Sequence, residues 1–120
     1  MKLLLESNAL TRFAQRGDYA TTSSVPLDGE LATTAQTLLA WLQTQLAENE
    51  SVGQVFLEPD GFDYELDAEG NATGTRPRLS AAVTAHAAAG ARSVVYSSEA
   101  LPAELRNGLL AAWATIEAMP

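Results

Sequence analysis

Six of the fifteen acidic side chains in this chain fall between positions 58 and 69: Glu58, Asp60, Asp63, Glu65, Asp67 and Glu69. Carboxylates at that density do one of three things. They ligate a hard cation through oxygen, they attract a basic partner, or they keep a surface solvated. A calcium loop is the sharpest of these, and its spacing is testable. A loop beginning at Asp63 puts Ala68 where glycine is required and Gly74 where a bidentate glutamate is required. A loop beginning at Asp67 puts Ala72 at the glycine position, so neither register fits an EF-hand. The residues specify no metal site and no cofactor.

The same segment alternates. Phe62, Tyr64 and Leu66 interleave with Asp63, Glu65 and Asp67, the pattern of a half-buried strand with one apolar and one charged face. On that face the acids recur at about 7 Å intervals. Gly70-Asn71 marks the turn that follows. A two-residue turn there sets Glu65 against Arg76 and Asp63 against Arg78, which neutralises much of the stripe. A change of parity leaves the acids free for a basic protein partner.

Other residues with chemical potential are sparse. His86 is the single histidine, near the buried stripe of an alanine-rich segment, so a packed imidazole is expected rather than an acid or base. Ser97-Ser98 lacks the glycines of a nucleophile elbow, and no phosphate-binding glycine loop occurs. With no cysteine there is no disulfide, thiolate zinc site or cysteine nucleophile. These residues point to a non-enzymatic protein, and the absence of cysteine suits a reducing compartment.

The totals bound the rest. At 120 residues the chain is read as a single domain, 1–120, and its formal charge of −8 argues against nucleic acid and anionic membrane as partners. No apolar run reaches membrane-spanning length. The basic-then-apolar start, Met1 to Leu5, is stopped by Glu6-Ser7-Asn8 too early for a signal peptide, so a cytoplasmic location is expected. Asn71-Ala72-Thr73 matches a glycosylation acceptor but reads as turn chemistry.

The elements that must hold the acids in place follow from periodicity. Lys2 to Leu5 predicts a strand, Asn8 to Gln15 a short helix ended by Gly17, and Asp18 to Gly29 a polar loop. Leu31, Ala35, Leu38, Leu39, Leu42 and Leu46 form one helical stripe over Gly29 to Ala47, with Asp28 as N-cap and Trp41 at its edge. Strands are predicted over Val52 to Glu58, Phe62 to Asp67 and Ala72 to Arg78, with a turn at Pro59-Asp60-Gly61. Leu79 to Ala89 predicts a helix ended by Gly90, and Ser93 to Ser97 a buried strand. A last helix follows Pro102, with Leu105, Leu109, Ala112, Trp113 and Ile116 as its stripe. No internal sequence repeat is visible. The fold class is α+β: a small, mostly antiparallel sheet, a β-meander with one or two further strands, and helices on one face.

Two family resemblances add expectations. Leu3-Leu4-Leu5-Glu6-Ser7-Asn8-Ala9-Leu10 resembles the opening of PIN-domain ribonucleases, which implies a metal-dependent hydrolase with Glu6 as a magnesium carboxylate and Glu99 as a second. Ser24-Val25-Pro26-Leu27-Asp28-Gly29-Glu30-Leu31, leading into the leucine-rich helix with Trp41, is similar to segments of small acidic bacterial immunity proteins. That resemblance implies a binder that blocks a cognate toxin and assigns no particular contact residues. A structural subunit with an apolar interface is the third expectation.

Overall fold

The computed structural model describes residues 2–6, 9–16 and 18–118. It contains β1 (Lys2–Leu5), β2 (Ala9–Arg16), β3 (Tyr19–Pro26), α1 (Gly29–Gln45), β4 (Ser51–Leu66), β5 (Ala72–Ala87), β6 (Gly90–Tyr96) and α2 (Ala103–Glu117), with a single 3-10 turn at Ser98–Ala100. The strands form one antiparallel sheet in the order β3-β2-β1-β4-β5-β6. The fold is α+β as expected. Its order is symmetric: each half is three consecutive strands followed by a helix, and the leading strands, β1 and β4, pair at the centre with Leu3 opposite Leu57 and Leu5 opposite Val55. This topological repeat has no counterpart in the amino-acid sequence.

Both helices pack on the same core. Leu38 and Leu42 of α1, with Leu105, Leu109, Trp113 and Ile116 of α2, bury against Leu3, Leu5, Leu10, Val55, Leu57, Leu79, Ala81 and Val83 of the sheet. The two helical stripes are those the periodicity predicts. Trp41 closes the edge of α1 with its ring edge-on to Tyr96, centroids 5.4 Å apart. The helices approach closely where Thr34 meets Gly108; a Cβ on Gly108 would lie 3.2 Å from the threonine methyl. Among the described residues no helix is long and apolar enough to cross a membrane.

Four local expectations are corrected. Residues 9–16 form β2 rather than a helix, because Leu10 buries in the core while Thr11 bonds Ser24 of β3 across the ladder at 2.9 Å. Asn8 and Gly17, the predicted ends of that helix, lie outside the described residues. The Thr- and Ser-rich stretch is β3, an edge strand, where β-branched polar side chains suit a solvated surface. The alanine-rich segment is the second half of β5. Leu79, Ala81, Val83 and Ala85 are all buried, and that period of two decides against the high helix propensity of alanine. Finally, Pro59-Asp60-Gly61 does not turn the chain. Pro59 pairs with Leu79 and Gly61 with Arg78, so one extra residue bulges out of a continuous β4.

One ion pair ties the α1–β4 connection to β6. Arg92 of β6 donates from Nε to Glu50 Oε2 at 2.6 Å and from Nη2 to Oε1 at 2.8 Å. Glu50 Oε1 also accepts the N–H of Ala47 at 3.0 Å, just beyond the end of α1. These donors, Arg92 foremost, lower the Glu50 carboxyl from 4.5 to about 2. A lowered carboxyl contributes its stability in full above the unfolded value and loses it as pH falls towards the folded one. Urea unfolding across pH should therefore show stability falling between 4.5 and about 2, and Glu50→Gln should flatten that limb. An unchanged acid limb in the variant would contradict the assignment. In the core, Leu42→Ala should cost about 2–5 kcal/mol by the same measurement at neutral pH.

Candidate functional site

The six acids sit together on a two-stranded arm. On one side β1 pairs only with Val55–Leu57 of β4, and on the other β6 pairs only with Ala81–Ala87 of β5. Residues 58–66 and 72–80 therefore pair only with each other among the described residues. At about 3.3 Å per residue such an arm is about 30 Å long. It belongs to a molecule measuring 53 × 34 × 29 Å.

The arm's tip is a five-residue loop, 67–71, in place of a two-residue turn. Asp67 organises it: its Oδ1 accepts the N–H of Glu69 at 3.0 Å and of Asn71 at 2.8 Å. Its backbone N–H donates to Asn71 O at 3.0 Å, and Gly70, at φ +85°, donates to Asp67 O at 3.1 Å. A side chain that mimics the turn backbone in this way is characteristic of aspartate. The longer loop slides the ladder by two residues from the predicted register. Asp63 lies opposite Arg76, Glu65 opposite Gly74, and Gly61 opposite Arg78. The predicted pairing of Glu65 with Arg76 is therefore not made. Arg78 Nε lies 3.9 Å from Asp63 Oδ1 and its Nη1 3.7 Å from Glu99, both long contacts at the surface.

The acids divide accordingly. Asp67 is committed to the tip, Asp60 accepts the N–H of Ser98 at 3.4 Å, and Asp63 has its contact with Arg78. Glu58, Glu65 and Glu69 have no ion pair among the described residues. Against six carboxylates the arm carries two arginines, so half of the chain's net charge of −8 sits on it.

Alternation places Phe62, Tyr64 and Leu66 on the other side of the ribbon from Asp63 and Glu65. They are 64%, 72% and 63% exposed. The expected half-buried strand is thus corrected: its apolar face has no cover. Asp63 and Glu65 instead line clefts against α2, together with Arg76 and Asn107. Apolar side chains of this size, grouped and exposed, mark interaction surfaces. Sequence alone shows the alternation but not the exposure. The sequence carries no signal for it, because 52–67 reads as two short strands broken by a turn at Pro59-Asp60-Gly61.

The remaining candidates separate from this site. His86 is exposed on β5 opposite Ser51 and leans over Gly53, where a Cβ would meet its imidazole. It does not lie on a helix. Trp113 is core. Glu6 follows Leu5, which pairs with Val55, whereas Glu99 contacts Arg78, which pairs with Gly61. Six residues of strand separate those positions, about 20 Å. Ser7 and Asn8 of the PIN-like motif lie outside the described residues. Among the described residues, no three acidic, histidine or cysteine side chains are grouped to hold a metal ion.

No family model matches the chain, and no curated protein or solved structure matches it either. The tip itself is open to test. Asp67→Ala removes the one oxygen that accepts both bonds and should destabilise the loop locally by about 1 kcal/mol. Amide exchange at Glu69 and Asn71 should accelerate while that of core amides such as Val55 and Val83 stays unchanged.

Proposed function

We propose that this chain is a non-enzymatic protein-binding module that engages a basic partner through the β4–β5 arm. The reading is supported above all by one observation: an arm whose strands pair only with each other among the described residues carries three carboxylates without an ion pair, Glu58, Glu65 and Glu69, and three exposed apolar side chains. The contact residues are Glu58, Asp60, Asp63, Glu65, Asp67 and Glu69. Phe62, Tyr64 and Leu66 supply apolar area beside them. The carboxylates accelerate and orient the encounter, while burial of the rings and leucine holds it. Two copies meeting arm to arm would juxtapose like charges, which favours a basic partner over self-association.

Within this reading the chain acts as a toxin-neutralising immunity protein of a bacterial, cytoplasmic type. The small acidic chain and its lack of cysteine are compatible with that role. Such a protein needs only a complementary surface, since blocking a toxin requires no chemistry of its own.

The test compares the wild-type chain with the quadruple variant Glu58→Gln, Asp63→Asn, Glu65→Gln and Glu69→Gln. Affinity capture from native lysate at low salt should retain a basic protein on the wild type and release it at high salt, because exposed charges are screened within about 8 Å at physiological ionic strength. At about 0.2–1 kcal/mol per exposed pair, the variant should bind roughly four- to several-hundred-fold more weakly. Co-expression should relieve any toxicity of the captured protein. Equal retention by wild type and variant, or no specific partner at low salt, would overturn the reading.

A further inference from the structure

Three of the chain's seven basic residues converge on a single cleft. A cavity of about 200 Å³ lies between the base of the arm and the N-terminal half of α2, and Arg76, Arg78 and Arg106 all line it. Ser98, Asn107 and Asp63 complete its polar wall. The concentration is unexpected in a chain that is otherwise strongly acidic. The lining sets one carboxylate, Asp63, against three guanidinium groups, and with Glu99 beside Arg78 at 3.7 Å the local balance is still positive.

Two of these guanidinium groups carry an Nε–H that no protein acceptor satisfies. Arg78 Nε and Arg106 Nε are both shielded from solvent, and neither has a hydrogen-bond partner. The carboxylates nearest Arg78 stand at 3.9 Å and 3.7 Å, beyond hydrogen-bond reach. Arg76 and Arg106 form no ion pair among the described residues. Arg92 shows the alternative in the same molecule, where a guanidinium with a carboxylate in reach makes two short bonds to it. Native proteins leave few shielded donors unpaired, and a charged donor is the costliest to leave so. Arginine's planar fork matches the two oxygens of a carboxylate or phosphate. Ala103, the first residue of α2, also lines the cleft, and that helix has no side-chain cap, so its open N–H groups add positive potential.

Pro77, Leu79, Leu101 and Leu110 supply the cleft's apolar wall. The volume is below the roughly 300–1,000 Å³ of sites for drug-sized ligands. A small head that accepts several hydrogen bonds, carried on a compact apolar body, matches both walls. We propose that this cleft binds a small organic oxyanion, a carboxylate or phosphate attached to a compact apolar group. The proposal stands on the arginines and does not depend on the partner-binding reading of the arm.

The test is an NMR titration of the full chain that follows the Arg Nε–H resonances, with phenyl phosphate, benzoate and inorganic phosphate as probes. The Nε–H signals of Arg78 and Arg106 should shift saturably with phenyl phosphate or benzoate, while that of Arg92, already held by Glu50, stays in place. Arg106→Gln should weaken binding by about tenfold, and Arg76→Gln, at a more exposed position, provides a second variant. Inorganic phosphate should bind about tenfold more weakly than phenyl phosphate. Equal affinities would overturn the apolar half of the proposal. Absence of saturation with all three probes, or equal shifts at every arginine, would overturn it entirely.

Discussion

The pairing of β4 with β5 is the constraint on which the rest of the molecule depends. Each strand is sixteen residues long, about 53 Å, and the helices that must cover them are much shorter. With seventeen and fifteen residues, α1 and α2 reach only about 25 Å and 22 Å. The neighbours impose the same limit, since β1 pairs with three residues of β4 and β6 with seven of β5. The inner half of the ladder therefore becomes the floor of the core, with Val55, Leu57, Ala81, Val83 and Ala85 buried. The outer half projects as an arm that meets α2 only across open clefts on the side of Asp63 and Glu65, and its other side, with Phe62, Tyr64 and Leu66, has no cover.

That division leaves the arm's apolar side chains outside the packing that stabilises the fold. The core is closed by leucines on two helices and by small residues on β5, whose alanines let the helices lie close to the sheet. The arm's own apolar side chains gain nothing from this core. Full burial of a phenylalanine or leucine stabilises by about 1.5–3 kcal/mol, and at Phe62, Tyr64 and Leu66 most of that free energy is still to be realised. In the proposed reading the carboxylates would disfavour the meeting of two such arms, since like charges would face each other. The bulge at Asp60 and the loop organised by Asp67 then decide which acids are tied and which are free.

Much of this was legible in the residues, and the failures share a cause. The stripes of α1 and α2 could be read because a helix carries its period over many residues. The acid and apolar alternation from Phe62 to Asp67 could be read for the same reason. Residues 9–16 read as a helix because Leu10, Phe13 and Ala14 fit a helical spacing, whereas in β2 Leu10 and Phe13 face opposite sides of the sheet and only the partner strands decide. Residues 79–87 were misread because alanine's propensity was weighed above the buried period of Leu79, Ala81, Val83 and Ala85. The convergence of Arg76 and Arg78 with Arg106 was not legible, because it depends on how α2 docks across the arm's base. The exposure of Phe62, Tyr64 and Leu66 depends likewise on where the helices end.

The central claim is that these three side chains are held out of the core. The most direct measurement is the thermal unfolding midpoint of the triple variant Phe62→Ser, Tyr64→Ser and Leu66→Ser. Surface substitutions usually stay within about 0.5 kcal/mol each, so the midpoint should move by only a few degrees. A loss of stability as large as that of a core leucine truncation would contradict the account, because it would mean that the arm's apolar face supports the fold rather than waiting for a partner.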